Sequence, residues 1–198
     1  MRRYNGEGDG TDRAHAIALD GSGNVYVAGG SDGIGTDLDY ATIKYDQDGN
    51  ELWVRRYNGP GNWWDEANAI AIDGSGNVFV AGNLSCETTW DYGTIKYDSD
   101  GNKLWVKTYN GPGNDQERAW DVVVDASNNV YVTGFSTGNG TSADYATIKY
   151  VQYDSIPFTS AVNYGAGTDP ISVFCADLDG DGYPDLAVAN PGSGNVSI

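Results

Sequence analysis

The chain repeats itself at a fixed interval. The string DGSGNVYVAG at Asp20–Gly29 returns as DGSGNVFVAG at Asp73–Gly82 and as DASNNVYVTG at Asp125–Gly134, offsets of 53 and 52 residues. DYATIKY at Asp39–Tyr45 returns as DYGTIKY at Asp91–Tyr97 and as DYATIKY at Asp144–Tyr150, and ELWVRRYNGPGN at Glu51–Asn62 returns as KLWVKTYNGPGN at Lys103–Asn114. A period of about fifty residues is the length of one propeller blade or one comparable array unit, and it constrains the fold more than any local motif does.

Each unit holds four strand-like runs. The first is small and apolar: Ala14–Asp20, Ala67–Asp73, Ala119–Asp125. The second, NVYVAG, follows through a tight hairpin signal. The third, YATIKY, alternates Tyr, Thr and Lys with Ala, Ile and Tyr, as a strand with two different faces does. The fourth, ELWVRRY, follows DQDGN or DSDGN, again hairpin chemistry. Composition agrees, because the turn formers Gly, Asn and Asp total 68 of 198 residues while Leu, Glu and Lys number 7, 5 and 5. Four antiparallel strands per unit, repeated radially, predict an all-β fold: a β-propeller of about four blades or a fragment of a larger one. Ala-rich first strands suit the crowded innermost position, and Trp53, Trp105 and the tyrosines suit the wider gaps between blades. A linear solenoid of hairpins is the alternative.

The expected blades are 14–57, 67–109 and 119–164, with Phe158–Tyr164 as the fourth strand of the third. A partial blade at 171–198 keeps the register, because Asp177 lies 52 residues after Asp125. It lacks a fourth strand, and Arg2–Gly6, RRYNG, matches the end of one at Arg55–Gly59. Either the two ends close one ring, which would remove open sheet edges, or the chain is a fragment cut inside two blades. The second reading is preferred.

Charge narrows the partners. Eleven Lys+Arg stand against 28 Asp+Glu, a formal charge of −17, and the isoelectric point is near 4.1. Such a chain repels phosphate backbones, so nucleic acid and anionic membranes are not expected partners, whereas divalent cations are. No apolar stretch approaches the ~20 residues of a spanning helix, so membrane insertion is not expected. Cys86 sits in a polar stretch and Cys175 in an apolar run, so no bridge between them is expected. The N-terminal MRRYNG lacks the apolar core of a signal peptide.

The units around AIALDGSGNVYVAG, DYATIKYDQDGNELW and YNGPGN resemble SBBP-type bacterial β-propeller repeats over about residues 1–153. The segment from Pro157 to Ile198, with FCADLDGDGYPDLAVAN at its centre, resembles an FG-GAP/VCBS repeat. These resemblances imply secreted or surface-attached bacterial propellers without an assigned catalytic activity.

The sharpest chemical motif is DLDGDGYPD. Asp177, Asp179 and Asp181 occupy positions 1, 3 and 5 of a calcium loop, with Gly182 at 6, the Tyr183 carbonyl at 7 and Asp185 at 9. Position 12 holds Val188 rather than Glu, which rules out an EF-hand but matches the FG-GAP loop it resembles. Packed carboxylates repel without a cation, so calcium is the expected cofactor. Asp46/Asp48 and Asp98/Asp100 lack later acids and read as hairpin turns.

Asp12, Asp65, Glu117 and Asp169 each stand eight residues before Asp20, Asp73, Asp125 and Asp177. In a propeller they would ring one mouth of the channel. There they would either hold a cationic ligand or accept backbone N–H bonds that tie neighbouring loops together, the second being preferred. The loops between strands 2 and 3 and between units emerge on one face and carry the variation. Trp63, Trp64 and Trp90 on that face are a candidate glycan surface, aromatic faces against sugar C–H groups, with packing between blades as the competing role.

His15 aligns with Asn68 and Trp120, so the repeat does not require an imidazole there and scaffold is the expected role. One His and two separated Cys assemble no nucleophilic triad or zinc site. The expectation is therefore a non-enzymatic, calcium-stabilised binding or adhesion module for glycan or protein, extracellular or at the cell surface. A structural repeat module of a larger surface protein is one alternative. A glycoside-active enzyme using channel-mouth acids is the other. Oligomeric state is left open.

Overall fold

In a computed structural model, the structure describes residues 2–86, 89–140 and 142–151, together with the backbone of strands at 172–176, 185–190 and 195–197. The chain divides into two compact units, Met1–Tyr153 and Asp154–Ile198. The described residues form antiparallel strands joined by turns and contain no helix. The fold is all-β, in propeller-like blades.

In the first unit, β1 (Asp12–Leu19), β2 (Val25–Asp32), β3 (Leu38–Tyr45) and β4 (Glu51–Tyr57) form the first sheet, in that order. β5 (Glu66–Ile72), β6 (Val78–Cys86), β7 (Thr89–Tyr97) and β8 (Lys103–Tyr109) repeat it. β9 (Glu117–Val124), β10 (Val130–Thr137) and β11 (Ala143–Tyr150) repeat the first three strands; the expected fourth, Phe158–Tyr164, lies outside the described residues. In the second unit, β12 (Ser172–Ala176), β13 (Asp185–Asn190) and β14 (Asn195–Ser197) make a three-stranded antiparallel sheet.

The hairpins close through one device. Asp20 accepts the backbone N–H groups of Ser22 and Asn24 and the Asn24 side-chain amide, at 2.9, 2.9 and 2.7 Å. Asp46, Asp73, Asp98 and Asp125 do the same with the Asn four residues on. An aspartate that satisfies its own turn in this way needs no metal. This is why Asp46 and Asp98 resemble a calcium loop in sequence only.

The core lies between sheets. Each sheet has a front face, turned to the preceding repeat, and a trailing face, turned to the following one. Tyr26, Ala28, Tyr40 and Trp53 on the trailing face of the first sheet pack against Ala67, Val78, Val80, Leu84, Ile95 and Tyr97 on the front of the second. Phe79, Ala81 and Tyr92 on the trailing face of the second pack against Ala119, Val122, Val130 and Val132 on the front of the third. The alternation seen in YATIKY is this division: Tyr40 and Lys44 trail, Ile43 and Tyr45 face forward. β1, β5 and β9 pack side by side, their alanines permitting the close approach.

Two details lock successive blades. Each first strand carries a bulge at the same place, at His15, Asn68 and Trp120. Opposite it the strand backbones come so close that a Cβ on Gly29, Gly82 or Gly134 would lie 1.8, 2.1 or 1.9 Å from a carbonyl oxygen, so only glycine fits. A bulge re-aims its side chain: His15 Nε2 sits 2.8 Å from Glu66 Oε1 and Asn68 Nδ2 donates to the Ala119 carbonyl at 2.8 Å, both reaching the next blade. At the trailing face, Tyr40 donates its hydroxyl to the Gly93 carbonyl and Tyr92 to the Ala146 carbonyl, each at 3.2 Å.

Arg2–Gly6 forms no strand, where the ring-closing alternative, the less favoured of the two sequence readings, would have placed a fourth strand. Arg2 donates to Asn50 Oδ1 at 3.1 Å, on the first sheet's β3–β4 hairpin. Arg55, its counterpart one repeat on, donates to the Gly101 and Asp100 carbonyls of the second sheet's hairpin. The N-terminal peptide therefore docks on the first sheet as Arg55–Gly59 docks on the second.

Tyr40→Phe and Tyr92→Phe each remove one inter-blade hydrogen bond, so urea unfolding should show a loss of about 1 kcal/mol for each. Tyr145→Phe, at the equivalent place on the third sheet but 91% exposed, should leave unfolding of dilute protein unchanged.

Candidate functional site

Between one unit and the next the chain follows the same path three times. Asn5, Asn58 and Asn110 each donate their side-chain amide to the residue four positions on: Asp9, Asn62 and Asn114, at 2.7, 2.7 and 2.6 Å. The turn tip then bonds the end of a second strand, through Gly8 N to Asp32 O, Gly61 N to Ser85 O and Gly113 N to Thr137 O.

The acid that follows closes the knot. Asp12 Oδ2 accepts the Gly6 N–H at 3.0 Å. Asp65 accepts from the Gly59 N–H and, at 2.6 Å, from the Ser85 N–H. Glu117 accepts from the Ser136 hydroxyl and the Thr137 N–H, both at 3.3 Å. A Cβ on Gly59 would lie 2.7 Å from the Asp65 carboxylate, so glycine in YNG is what lets the turn close over the acid. Asp65 and Glu117 are 0% exposed. A ring that offers charge to a ligand in a channel needs accessible carboxylates, and these two are spent on the fold. Asp169 lies outside the described residues.

Burial pushes the Asp65 carboxyl up to about 6, overcoming the Ser85 and Gly59 N–H groups that favour its charged form, with the Asp39 charge adding to the rise. The turn aspartates move the other way. The Asn50, Asn102 and Asn129 amides hold the carboxyls of Asp46, Asp98 and Asp125 below the ordinary aspartate value.

The tip of the same loop differs in each copy: Gly10-Thr11, Trp63-Trp64, Asp115-Gln116. Trp63 is 64% exposed and Trp64 42%. Around Trp64 stands a small charged frame that the sequence pattern did not disclose. The Arg13 guanidinium lies 5.1 Å from the Trp64 ring and 3.6 Å from Glu66, which also holds His15. Arg13 and Glu66 occupy equivalent positions in successive repeats, so an opposite-charge pair at that register was the available signal.

Trp90 is placed differently. It belongs to β7, half-buried, with the Arg118 guanidinium 4.1 Å from its ring and a bridge to Gln116. That is packing between the second and third blades. The stretch Asn83–Trp90, read from sequence as a loop, is mostly strand, because Cys86 pairs with Thr89 across a two-residue connection. Cys86 thus ends β6, and its thiol donates to the Asp91 carboxylate, whose pKa burial raises.

Among the described residues no three His, Cys, Asp or Glu side chains converge to hold an ion. The calcium-loop residues Asp177, Asp179, Asp181 and Tyr183 lie outside the described residues. Asp185 opens β13, its backbone opposite Ala176 of β12, and its side chain is not described.

Residues 171–198 match the FG-GAP repeat family. An alignment over 110 positions that covers 46% of the chain is 31% identical to an uncharacterized WD repeat-containing protein of Acanthamoeba polyphaga mimivirus. The chain covers 8% of that protein's length. Both similarities are to β-propeller repeat modules.

Carboxyl 13C shifts should titrate with a midpoint near 6 for Asp65 and below about 3.9, the unperturbed value, for Asp46, Asp98 and Asp125. The signs oppose. Asp65, with its folded pKa raised, favours folding most below about pH 4, and that contribution is lost as pH rises through 6. The turn aspartates contribute above about pH 4 and lose it as pH falls through their folded values. Asp65→Asn should destabilise, since one amide oxygen replaces two acceptors and an N–H is turned against a backbone N–H donor.

Proposed function

We propose that the chain is a non-enzymatic binding module of extracellular or surface-attached propellers, and that its ligand is a glycan taken at Trp63 and Trp64. The observation that carries this is the contrast among equivalent loops. One backbone scaffold, fixed by the Asn-to-Asn bond and the buried acid, presents adjacent indoles in a single copy and small or polar residues in the others. Trp53, by comparison, is 8% exposed in the core. Adjacent exposed indoles with an arginine, a glutamate and a histidine beside them combine a flat apolar surface for sugar C–H groups with donors and acceptors for hydroxyls. The extracellular setting is proposed on the sequence resemblance of the repeated units to SBBP-type repeats.

Calcium belongs to this proposal as a stabilising ion of the second unit. Its support is the carboxylate spacing of Asp177, Asp179, Asp181 and Asp185, with the Tyr183 carbonyl, inside a segment that matches the FG-GAP family. It would supply charge neutralisation for the clustered carboxylates and no chemistry. The non-enzymatic reading is supported by where the titratable groups go: His15 is tied to Glu66, and Asp65 and Glu117 are spent on backbone N–H groups.

Glycan-array binding should fall about tenfold in Trp63→Ala and in Trp64→Ala, the order expected for one aromatic contact, with the melting temperature unchanged. Undiminished binding in both variants, or binding of proteins but of no glycan, overturns the glycan assignment.

Calcium at a hundredfold excess over its Kd should add about 2.7 kcal/mol to the stability of the unit that binds it. Differential scanning calorimetry should show that gain, and Asp179→Ala should abolish it. A thermogram indifferent to EDTA removes calcium from the proposal.

A further inference from the structure

Resting on the glycan reading above, we infer that the sugar taken at Trp63 and Trp64 is a cationic amino sugar, its free ammonium against the Trp63 ring and balanced by Asp37. Every group concerned belongs to the first unit.

Three other tryptophan sites show what this unit lays on an indole. Arg55 lies 5.5 Å from the Trp53 ring, Arg13 5.1 Å from Trp64 and Arg118 4.1 Å from Trp90. Trp63 has no cation over its ring among the described residues, and it is 64% exposed. A cation over an indole face is held by the ring quadrupole. Trp63 is thus a position of this kind that a ligand can complete.

Charge decides which ligand. Met1–Tyr153 contains all 11 Lys+Arg of the chain against 22 Asp+Glu, a formal −11. Cations on the loop side of the first blade are already committed to the fold. Arg13 pairs with Glu66 at 3.6 Å, and Arg56 donates to Asp39 at 3.0 Å and to the Ser31 hydroxyl at 2.5 Å. A sugar carboxylate or sulfate would enter a negative field whose cations are spent, whereas an ammonium is drawn in.

Position supplies the counter-charge. The Asp65 N–H donates to the Leu38 carbonyl at 2.6 Å, and Trp90 bridges to Gln116 at the same place one repeat later. The residues just before Asp65 therefore run beside the end of the β2–β3 loop, whose last residue is Asp37. Asp37 is exposed, and its carbonyl closes that loop by accepting the Gly33 N–H at 3.1 Å. Because the backbone makes the closure, the Asp37 carboxylate is left for a ligand.

An NMR titration of the full chain, following the Trp63 and Trp64 indole N–H signals, compares three sugars of equal length: a deacetylated chito-oligosaccharide, its N-acetylated form and an oligogalacturonate. At about pH 6, where the sugar amine is charged, and about 0.01 M salt, the deacetylated sugar should bind about fivefold tighter than the N-acetylated one. The galacturonate should bind weakest. Near 1 M salt, where the screening length is about 3 Å, the preference should vanish. Asp37→Asn, at an exposed loop position, should cut the preference to about twofold and leave affinity for the N-acetylated sugar unchanged. Equal affinity for the two chito-oligosaccharides, or a fivefold preference that survives Asp37→Asn, overturns the inference and leaves the glycan reading standing. Indole shifts with a lysine-rich peptide but with none of the sugars overturn both.

Discussion

Sheets in the first unit carry apolar side chains on both faces, and these are buried where another sheet lies across from them. The middle sheet shows this on both sides: along β6, from Val78 to Ser85, every residue is buried. The first sheet packs against one described neighbour. Ile17 and Leu19 of β1 are 70 and 65% exposed, although their repeat partners are among the partly buried residues at the first inter-sheet core. Everything else in the unit serves that stacking. The aromatic residues fill the space between sheets edge to face, Tyr26 against Trp53 and Tyr92 against Tyr109. Geometries of this kind add about 0.5–1.5 kcal/mol beyond the area they bury.

Aspartate does two opposite jobs in this framework. In the hairpins of Asp46, Asp98 and Asp125 it is partly exposed, gathers donors from its own turn and has its carboxyl held below the ordinary value. In the link between blades Asp65 is taken wholly out of water, and two backbone N–H groups do not compensate for the lost hydration. Both uses follow from the same side chain, short enough to reach a neighbouring N–H and stiff enough to hold it. Glu117 takes the linking role one repeat later with one methylene more, and there it reaches the end of β10 through Ser136 and Thr137. The high acid content therefore reflects turn and link chemistry at least as much as any affinity for cations.

The division between scaffold and variable tip gives the loop face its character. The asparagine-led turn, the glycine and the acid that follows hold the path of the chain, and the tip side chains vary from copy to copy while the Thr11 and Gln116 carbonyls still accept from the second strands at Asp32 and Thr137. Trp63-Trp64, Gly10-Thr11 and Asp115-Gln116 therefore stand on nearly the same backbone. Trp90, although close in sequence type, is not part of that freedom, since Arg118 covers its ring.

Much of this was legible without coordinates. A fifty-residue period, four alternating runs per period and the Asp-to-Asn spacing of five turns determine strand number, strand order and hairpin closure, because each rests on local backbone geometry and on a side-chain period of two. The identity of the two faces of YATIKY was equally plain. What the chain order did not disclose is which polar residues would be buried. Asp12, Asp65 and Glu117 share a register but not an environment: Asp12 stays partly exposed beside an uncovered sheet face, while Asp65 and Glu117 vanish into the seam between sheets. Likewise Arg13 meets Glu66 and Trp64, and Cys86 becomes strand rather than loop, only once sheets lie against one another. Register is written in the chain; burial and electrostatic environment are decided by stacking, because they depend on what lies across a gap from residues some fifty positions away.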